Sequence, residues 1–227
     1  MIDKIVEDLD LSTQINELAD AMLVEDNSHT FFLQLLPALS KLTNSQLAAV
    51  YLFNKARNSF VLYESIGISN VHKNHTFSMN GFEGEFGKVL LTKQIQYIKN
   101  IPIDTIYSFQ TVSGAIIPRE IVSIPILAGT DVVAVISLAS IRKYSDKTIR
   151  FIDISYDVLA ARVDGILAYR ELRKSAKLLE DQKDFLSNMN SELEMQKTEL
   201  SAQSFELTQQ NAELEMQKKQ LDESSRL

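Results

Sequence analysis

Ile121-Val-Ser-Ile-Pro-Ile-Leu127, Ala128-Gly-Thr-Asp131 and Val132-Val-Ala-Val-Ile-Ser-Leu-Ala-Ser140 read together as a β-hairpin. Two runs dominated by β-branched residues flank a short break that holds a glycine. The run Val132–Ile136 is the longest aliphatic stretch in the chain. Five residues fall far short of the ~20 needed to span a bilayer.

Working backwards, a second hairpin precedes this one. Leu47-Ala-Ala-Val-Tyr-Leu-Phe53 and Ser59-Phe-Val-Leu-Tyr-Glu-Ser-Ile66 are strand-length and rich in β-formers, and Asn54-Lys-Ala-Arg-Asn58 supplies the polar turn. Between the hairpins, Gly81-Phe-Glu-Gly-Glu-Phe-Gly87 suggests tight turns, followed by a short helix over Lys88-Val-Leu-Leu-Thr92 and a strand over Gln94–Lys99. Residues 102–118 read as a long loop, and loops of that length usually carry function. Before the sheet, Ile5, Leu9, Ile15, Leu18 and Met22 recur at helical spacing, with Ser12 or Thr13 as a cap for a helix restarting near residue 13. Phe31, Phe32, Leu35, Leu36, Leu39 and Leu42 mark a second helix that must accommodate Pro37. The expected fold class is α+β: one antiparallel sheet with helices mainly on one face, then a long C-terminal helix.

That last helix starts after Ser145, a good N-cap, with Asp146 in its first turn. Phe151, Ile154, Val158, Ala161, Ile166 and Tyr169 are expected to form the stripe that lies on the sheet. Beyond it, Leu172, Leu179, Leu186, Leu193, Leu200, Leu207, Leu214 and Leu221 fall at every seventh position. No glycine or proline follows Gly165, and the only aromatics after Tyr169 are Phe185 and Phe205. Such a tail cannot bury enough surface to fold alone, but it can pair. With the leucines at d, the a positions are polar, Asn190 and Asn211 among them, which predicts a parallel, in-register homodimer with a weak seam. The segment Asn190-Ser-Glu-Leu-Glu-Met-Gln-Lys197 recurs as Asn211-Ala-Glu-Leu-Glu-Met-Gln-Lys218. Three blocks follow: 1–29, N-terminal helix and dimerisation; 30–170, a sensory globule; 171–227, a coiled-coil signalling helix.

Composition narrows the function. The net charge of −7 argues against nucleic acid and against acidic lipid as partners. The acidic start MIDKIVEDLD lacks the pattern of a signal peptide, and with no membrane span the expected location is the cytoplasm. Zero cysteines remove disulfides, thiolate nucleophiles and zinc–cysteine sites. The three histidines are His29, His72 and His75, and His72-Val-Lys-Asn-His75 reads as a surface loop. No metal site, cofactor or catalytic constellation is identified, and the chain is read as non-catalytic. The candidate ligand contacts are Tyr51, Ser123 and Ser137, hydroxyls that interrupt apolar runs, Tyr63 and Ser65 of one strand, and Tyr107 and Thr111 from the 102–118 loop. Tyr63 and Ser65 are expected on one face of their strand, lining a small-molecule pocket beneath that loop.

Taken in order, Leu47–Phe53, Glu83-Gly-Glu-Phe-Gly-Lys-Val89, Gln94–Ile101, Ile121–Ile126, Val132–Ser140 and the helix from Phe151 resemble the successive blocks of a GAF domain. The leucine-repeat tail resembles the signalling helices that join a GAF domain to the kinase core of bacterial hybrid sensor histidine kinases. Leu221-Asp-Glu-Ser-Ser-Arg-Leu227 is similar to the stretch just before that core. The resemblance implies a sensory and dimerisation module of a two-component phosphorelay, ending short of its kinase domain. Phe185-Leu-Ser-Asn-Met-Asn-Ser-Glu-Leu193 resembles the start of the family's phosphoacceptor box, but Ser191 stands in place of the histidine. Within the family, the absence of cysteine excludes a thioether-linked bilin. The alternatives are a ligand-free spacer that docks other proteins, or an input module for another output such as a diguanylate cyclase.

Overall fold

A computed structural model of the chain describes residues 2–23, 27–68, 76–79, 84–101, 109–111 and 114–224. They divide into two units, Met1–Glu171 and Leu172–Leu227. The first is a sheet with helices on both faces, three of them on one.

Helix α1 (Ile2–Met22) is a single element. The expected restart near residue 13 does not occur. Thr13 Oγ1 donates to the Leu9 carbonyl at 2.9 Å, so this side chain bonds back into an ongoing helix instead of capping a new one. Helix α2 (Ser28–Thr43) is capped by Asn27, whose side chain accepts from the His29 N–H at 2.9 Å. It ends at Asn44, whose φ of 55° is tolerated because asparagine accepts the left-handed region. Pro37 lies within α2 on its exposed side. There the Leu33 carbonyl, deprived of its helical donor, can be served by water.

The sheet comprises β1 (Leu47–Asn54), β2 (Ser59–Ile66), β3 (Thr76–Ser78), β4 (Gln96–Lys99), β7 (Glu120–Ala128) and β8 (Asp131–Ser140), in the order β3-β2-β1-β8-β7-β4 and antiparallel throughout. Both expected hairpins are present. In the second, Ala128 pairs with Asp131 across Gly129 and Thr130, and Gly129 supplies a φ of 62° at the turn. The expected long loop is partly structured: β5 (Phe109–Thr111) and β6 (Gly114–Ile116) pair as a small separate sheet. Gly84 and Gly87 are not turn residues but lie inside α3 (Gly84–Thr92). Lys93, at φ 55°, terminates α3 by donating to the Val89 carbonyl at 2.8 Å, which delays β4 to Gln96.

One face of the sheet carries the main core. Val50, Val122, Ile124, Ile126, Ile136 and Leu138 pack there against Leu11 and Leu18 of α1, Phe31, Phe32 and Leu36 of α2, and the first turns of α4 (Asp146–Ser224). Ser145 caps α4 as expected, accepting from the Thr148 N–H at 3.1 Å. Helix α4 buries Phe151 and Ile166 of the expected stripe but not its other four residues. Phe151, Ile152, Ser155, Leu159, Val163 and Ile166 are buried, whereas Ile154, Val158 and Tyr169 are 48, 54 and 40% exposed and Ala161 is exposed. Two apolar stripes share this part of α4, and only the packing partners decide which one faces the core. A short polar network holds the start of α4 to the sheet edge. Buried Glu120 accepts from the Tyr144 N–H at 2.8 Å, and the Tyr144 hydroxyl meets Ser45 Oγ at 2.8 Å. Burial, reinforced by the Glu120 carboxylate, holds the Tyr144 phenol well above its ordinary value.

In the second unit, all described side chains from Leu172 to Lys219 are exposed. No described helix is long and apolar enough to cross a membrane.

Candidate functional site

The face of the sheet opposite α1, α2 and α4 carries a second cluster. Ala49, Tyr51, Phe60, Val132 and Val135 meet Phe86, Val89 and Leu90 of α3. Tyr51 is edge-on to Phe86 at 4.8 Å and to Phe77 at 5.4 Å, while Phe77 and Phe86 stack at 3.9 Å. This part of the face is filled by aromatic side chains.

Beside it runs a polar row. Following the register strand by strand, Ser65 of β2 pairs with Ala49 of β1, Ala49 with Ser137 of β8, Ser137 with Ser123 of β7, and Ser123 with Gln96 of β4. Directly paired residues share a face, so Ser65, Ser137, Ser123 and Gln96 form one line across five strands on the side of Ala49 and Tyr51. The neighbouring rows are apolar: Leu62-Tyr51-Val135-Pro125 on one side, Leu47-Ala139-Ile121-Ile98 on the other. Gln96 is anchored, its amide donating to Thr92 Oγ1 at 2.8 Å and to the Gln94 carbonyl at 3.2 Å. Ser123 is not anchored. Its residue is 0% exposed, and Oγ has no hydrogen-bond partner among the described residues. A hydroxyl left in that state costs about 1–3 kcal/mol, so it marks a place where an additional polar group would be stabilising. The row offers neutral donors and acceptors and no formal charge. Among the described residues no group of three histidine, aspartate or glutamate side chains is placed to hold a metal ion.

The expected site residues therefore separate. Ser65, Ser123 and Ser137 come together, and Tyr51 lies in the adjacent row. Tyr63 does not join them. The β1–β2 register slips between Tyr51, opposite Leu62, and Val50, opposite Glu64, leaving Tyr63 as the extra residue of a bulge. It turns to the helical side, where its hydroxyl meets Ser28 Oγ at 2.9 Å, its ring is edge-on to Phe32 at 5.7 Å, and the Arg170 guanidinium sits 4.8 Å from its centroid. The expectation that Tyr63 and Ser65 share a face fails for this reason. Thr111 ends β5 opposite Gly114. Tyr107 lies outside the described residues. Gln96 was not among the expected residues. A polar side chain inside a short strand is weak notice by itself, and only the register places it beside Ser123.

No protein-family model matches the chain. No curated protein sequence matches it either. Solved structures do match. The GAF domain of a phosphoenolpyruvate-protein phosphotransferase from Coxiella burnetii is 12% identical, covering 74% of this chain and 98% of that one, at a TM-score of 0.59. Its Acinetobacter counterpart is 14% identical, covering 73% and 97%, at 0.57. Residues 122 to 287 of a methyl-accepting chemotaxis protein are 14% identical, covering 66% and 96%, at 0.50. At such identities the likeness is one of fold: an antiparallel sheet flanked by helices and followed by a long C-terminal helix, the architecture of a GAF domain.

Proposed function

We propose that this chain is the sensory and dimerisation module of a two-component sensor histidine kinase. Its GAF-like globule would bias a parallel coiled coil that leads to a kinase core. The observation that carries the reading is the state of the leucine repeat. Leu172, Leu179 and every seventh residue through Leu214 stand 54 to 67% exposed in a single chain. A helix that leaves a regular apolar line in water gains stability by pairing with another helix carrying the same line. Similarity in fold to the GAF domain of a phosphotransferase protein and to part of a chemotaxis protein supports a signalling role. The kinase output rests on the resemblance of the tail. The sensed ligand would be a neutral polar small molecule held along Ser65, Ser137 and Ser123.

Analytical ultracentrifugation of the 227-residue chain tests the dimer. A two-chain species at micromolar concentration is expected, and a monomer there removes the proposal. Native mass spectrometry of protein purified from its own host tests the ligand.

One observation favours a second reading. The Phe77–Phe86 stack against Tyr51 already occupies much of the face beside the serine row. A ligand-free spacer would look the same there. A clean apo mass, with no stabilisation across a metabolite panel, supports the spacer.

A further inference from the structure

Two registers are open to the tail, and they share the leucines. In one the leucines are d and the partner layers are Lys183, Asn190, Lys197, Ser204 and Asn211. In the other the leucines are a and the partner layers, three residues on, are Gln182, Met189, Gln196, Gln203 and Gln210. We infer that a second copy of this chain pairs in parallel in the second register, and that the seam begins inside the globule at Ile154. This inference rests on the dimer proposed above and assigns its register.

The first argument is continuity along α4. Extended backwards, the second register runs through Val158 and Gly165 at a and Ile154, Ala161 and Ala168 at d. All five are exposed, and a Cβ added at Gly165 would meet nothing within 4 Å. The first register extended backwards shares Val158 and Gly165 and adds Tyr169, which is 40% exposed, Arg162 and Ser155. Arg162 Nε donates to the Met22 carbonyl at 2.9 Å, and its guanidinium lies 5.8 Å from the Phe31 centroid. Ser155 is 3% exposed and donates to the Phe151 carbonyl at 2.7 Å. Neither is free to meet a second chain. Upstream of the tail, Ile154 and Ala161, which belong to the second register only, are exposed, whereas Ser155 and Arg162, which belong to the first only, are held by the globule.

The second argument is charge. With the leucines at a, position g holds Glu192, Glu199, Glu206 and Glu213, and position e holds Lys183, Lys197 and Lys218. In a parallel pair g faces the e position five residues later on the other chain, which sets Glu192 against the second copy's Lys197 and Glu213 against its Lys218. Both pairs fall in the repeated octapeptide. An antiparallel pair would set glutamates against glutamates. The first register instead places the three lysines in the seam, where their charge is desolvated without a partner.

The chain has no cysteine, so single substitutions report cleanly. Gln203→Cys and Ser204→Cys, and separately Gln210→Cys and Asn211→Cys, are oxidised as full-length protein, and interchain disulfide is followed on non-reducing gels. Positions 203 and 210 are expected to crosslink about tenfold faster or more than 204 and 211, because only seam positions bring Cβ atoms into disulfide range. Ala161→Cys is expected to crosslink as well. Faster crosslinking at 204 and 211 in a dimer overturns the register and leaves the proposed function standing. Crosslinking at 203 with none at 161 overturns the origin of the seam inside the globule. No crosslink anywhere, with a monomer in ultracentrifugation, removes the register and the proposed function together.

Discussion

Leu36 in the globule and Leu200 in the tail are the same residue on the same kind of helix, yet the first is 0% exposed and the second 65%. The globule surrounds its apolar side chains with partners from α1, α2, the sheet and α4. Leu200 lies on a segment whose described side chains are all exposed. Burial is what makes an apolar residue stabilising, so truncating a side chain should cost stability in the globule and leave it nearly unchanged in the tail.

The largest effect is expected from Phe151→Ala. This side chain is 0% exposed between α4 and the main core, and its removal should cost about 3–5 kcal/mol in urea unfolding monitored by circular dichroism. Leu200→Ala should leave that transition within about 0.5 kcal/mol while weakening self-association in ultracentrifugation. Equal losses for the two variants would erase the distinction between the regions.

Two glycines, both in the globule, separate a strained turn from an open helix position. Gly67 has a φ of 76°, and a Cβ there would lie 2.5 Å from Leu47 Cδ2 and 2.7 Å from the Gln46 carbonyl oxygen. Gly67→Ala should destabilise by about 1–3 kcal/mol. Gly165, helical and unobstructed, should gain about 0.5–1 kcal/mol in helix stability from the same substitution, read as a rise in the thermal midpoint.

A smaller effect, of about 1 kcal/mol, is expected from Tyr144→Phe, which deprives Ser45 of its 2.8 Å partner. It carries a pH signature. Burial, first, and the bond to Asp153 raise Tyr97 as burial raises Tyr144, so the unfolded chain releases these protons first, near the ordinary value of 10.0. Stability is complete below that value and falls as pH rises above it, and the double variant Tyr97→Phe/Tyr144→Phe should flatten the fall.

Smallest is Ser123→Ala. Losing a buried hydroxyl with no partner among the described residues should be neutral or stabilising, by up to about 1 kcal/mol. If this hydroxyl holds a ligand, the same change should lower ligand-induced stabilisation in thermal shift assays. A clear loss of stability in the apo protein would mean that Ser123 already has a partner.

Much of this was legible in the residues themselves. Strand β2 occupies Ser59–Ile66 as read, the second hairpin extends by one residue at three of its four strand ends, and Ser145 caps α4. These are local matters, governed by propensity, turn chemistry and capping within a few residues. Three of the four hydroxyls now beside one another on the second face, Tyr51, Ser123 and Ser137, were visible as interruptions of apolar runs. The fourth, Ser65, does not share a face with Tyr63 as alternation predicts, because alternation predicts faces only while the register is unbroken. One extra residue at Tyr63 reverses it, and nothing in Leu62-Tyr-Glu-Ser65 announces the bulge.

What the amino-acid sequence determined alone is the two hairpins, the helices that flank them, the absence of glycine and proline after Gly165, and the seven-residue period of the tail's leucines. Tertiary structure alone decided the pairing of β1 with β8, the turning of Tyr63 to the helical side, the alignment of Ser65, Ser137, Ser123 and Gln96, and which of two apolar stripes on α4 is buried. The physical reason is range. Period, caps and turns depend on neighbours in the chain, whereas a face becomes a core or a surface only through what distant segments place against it.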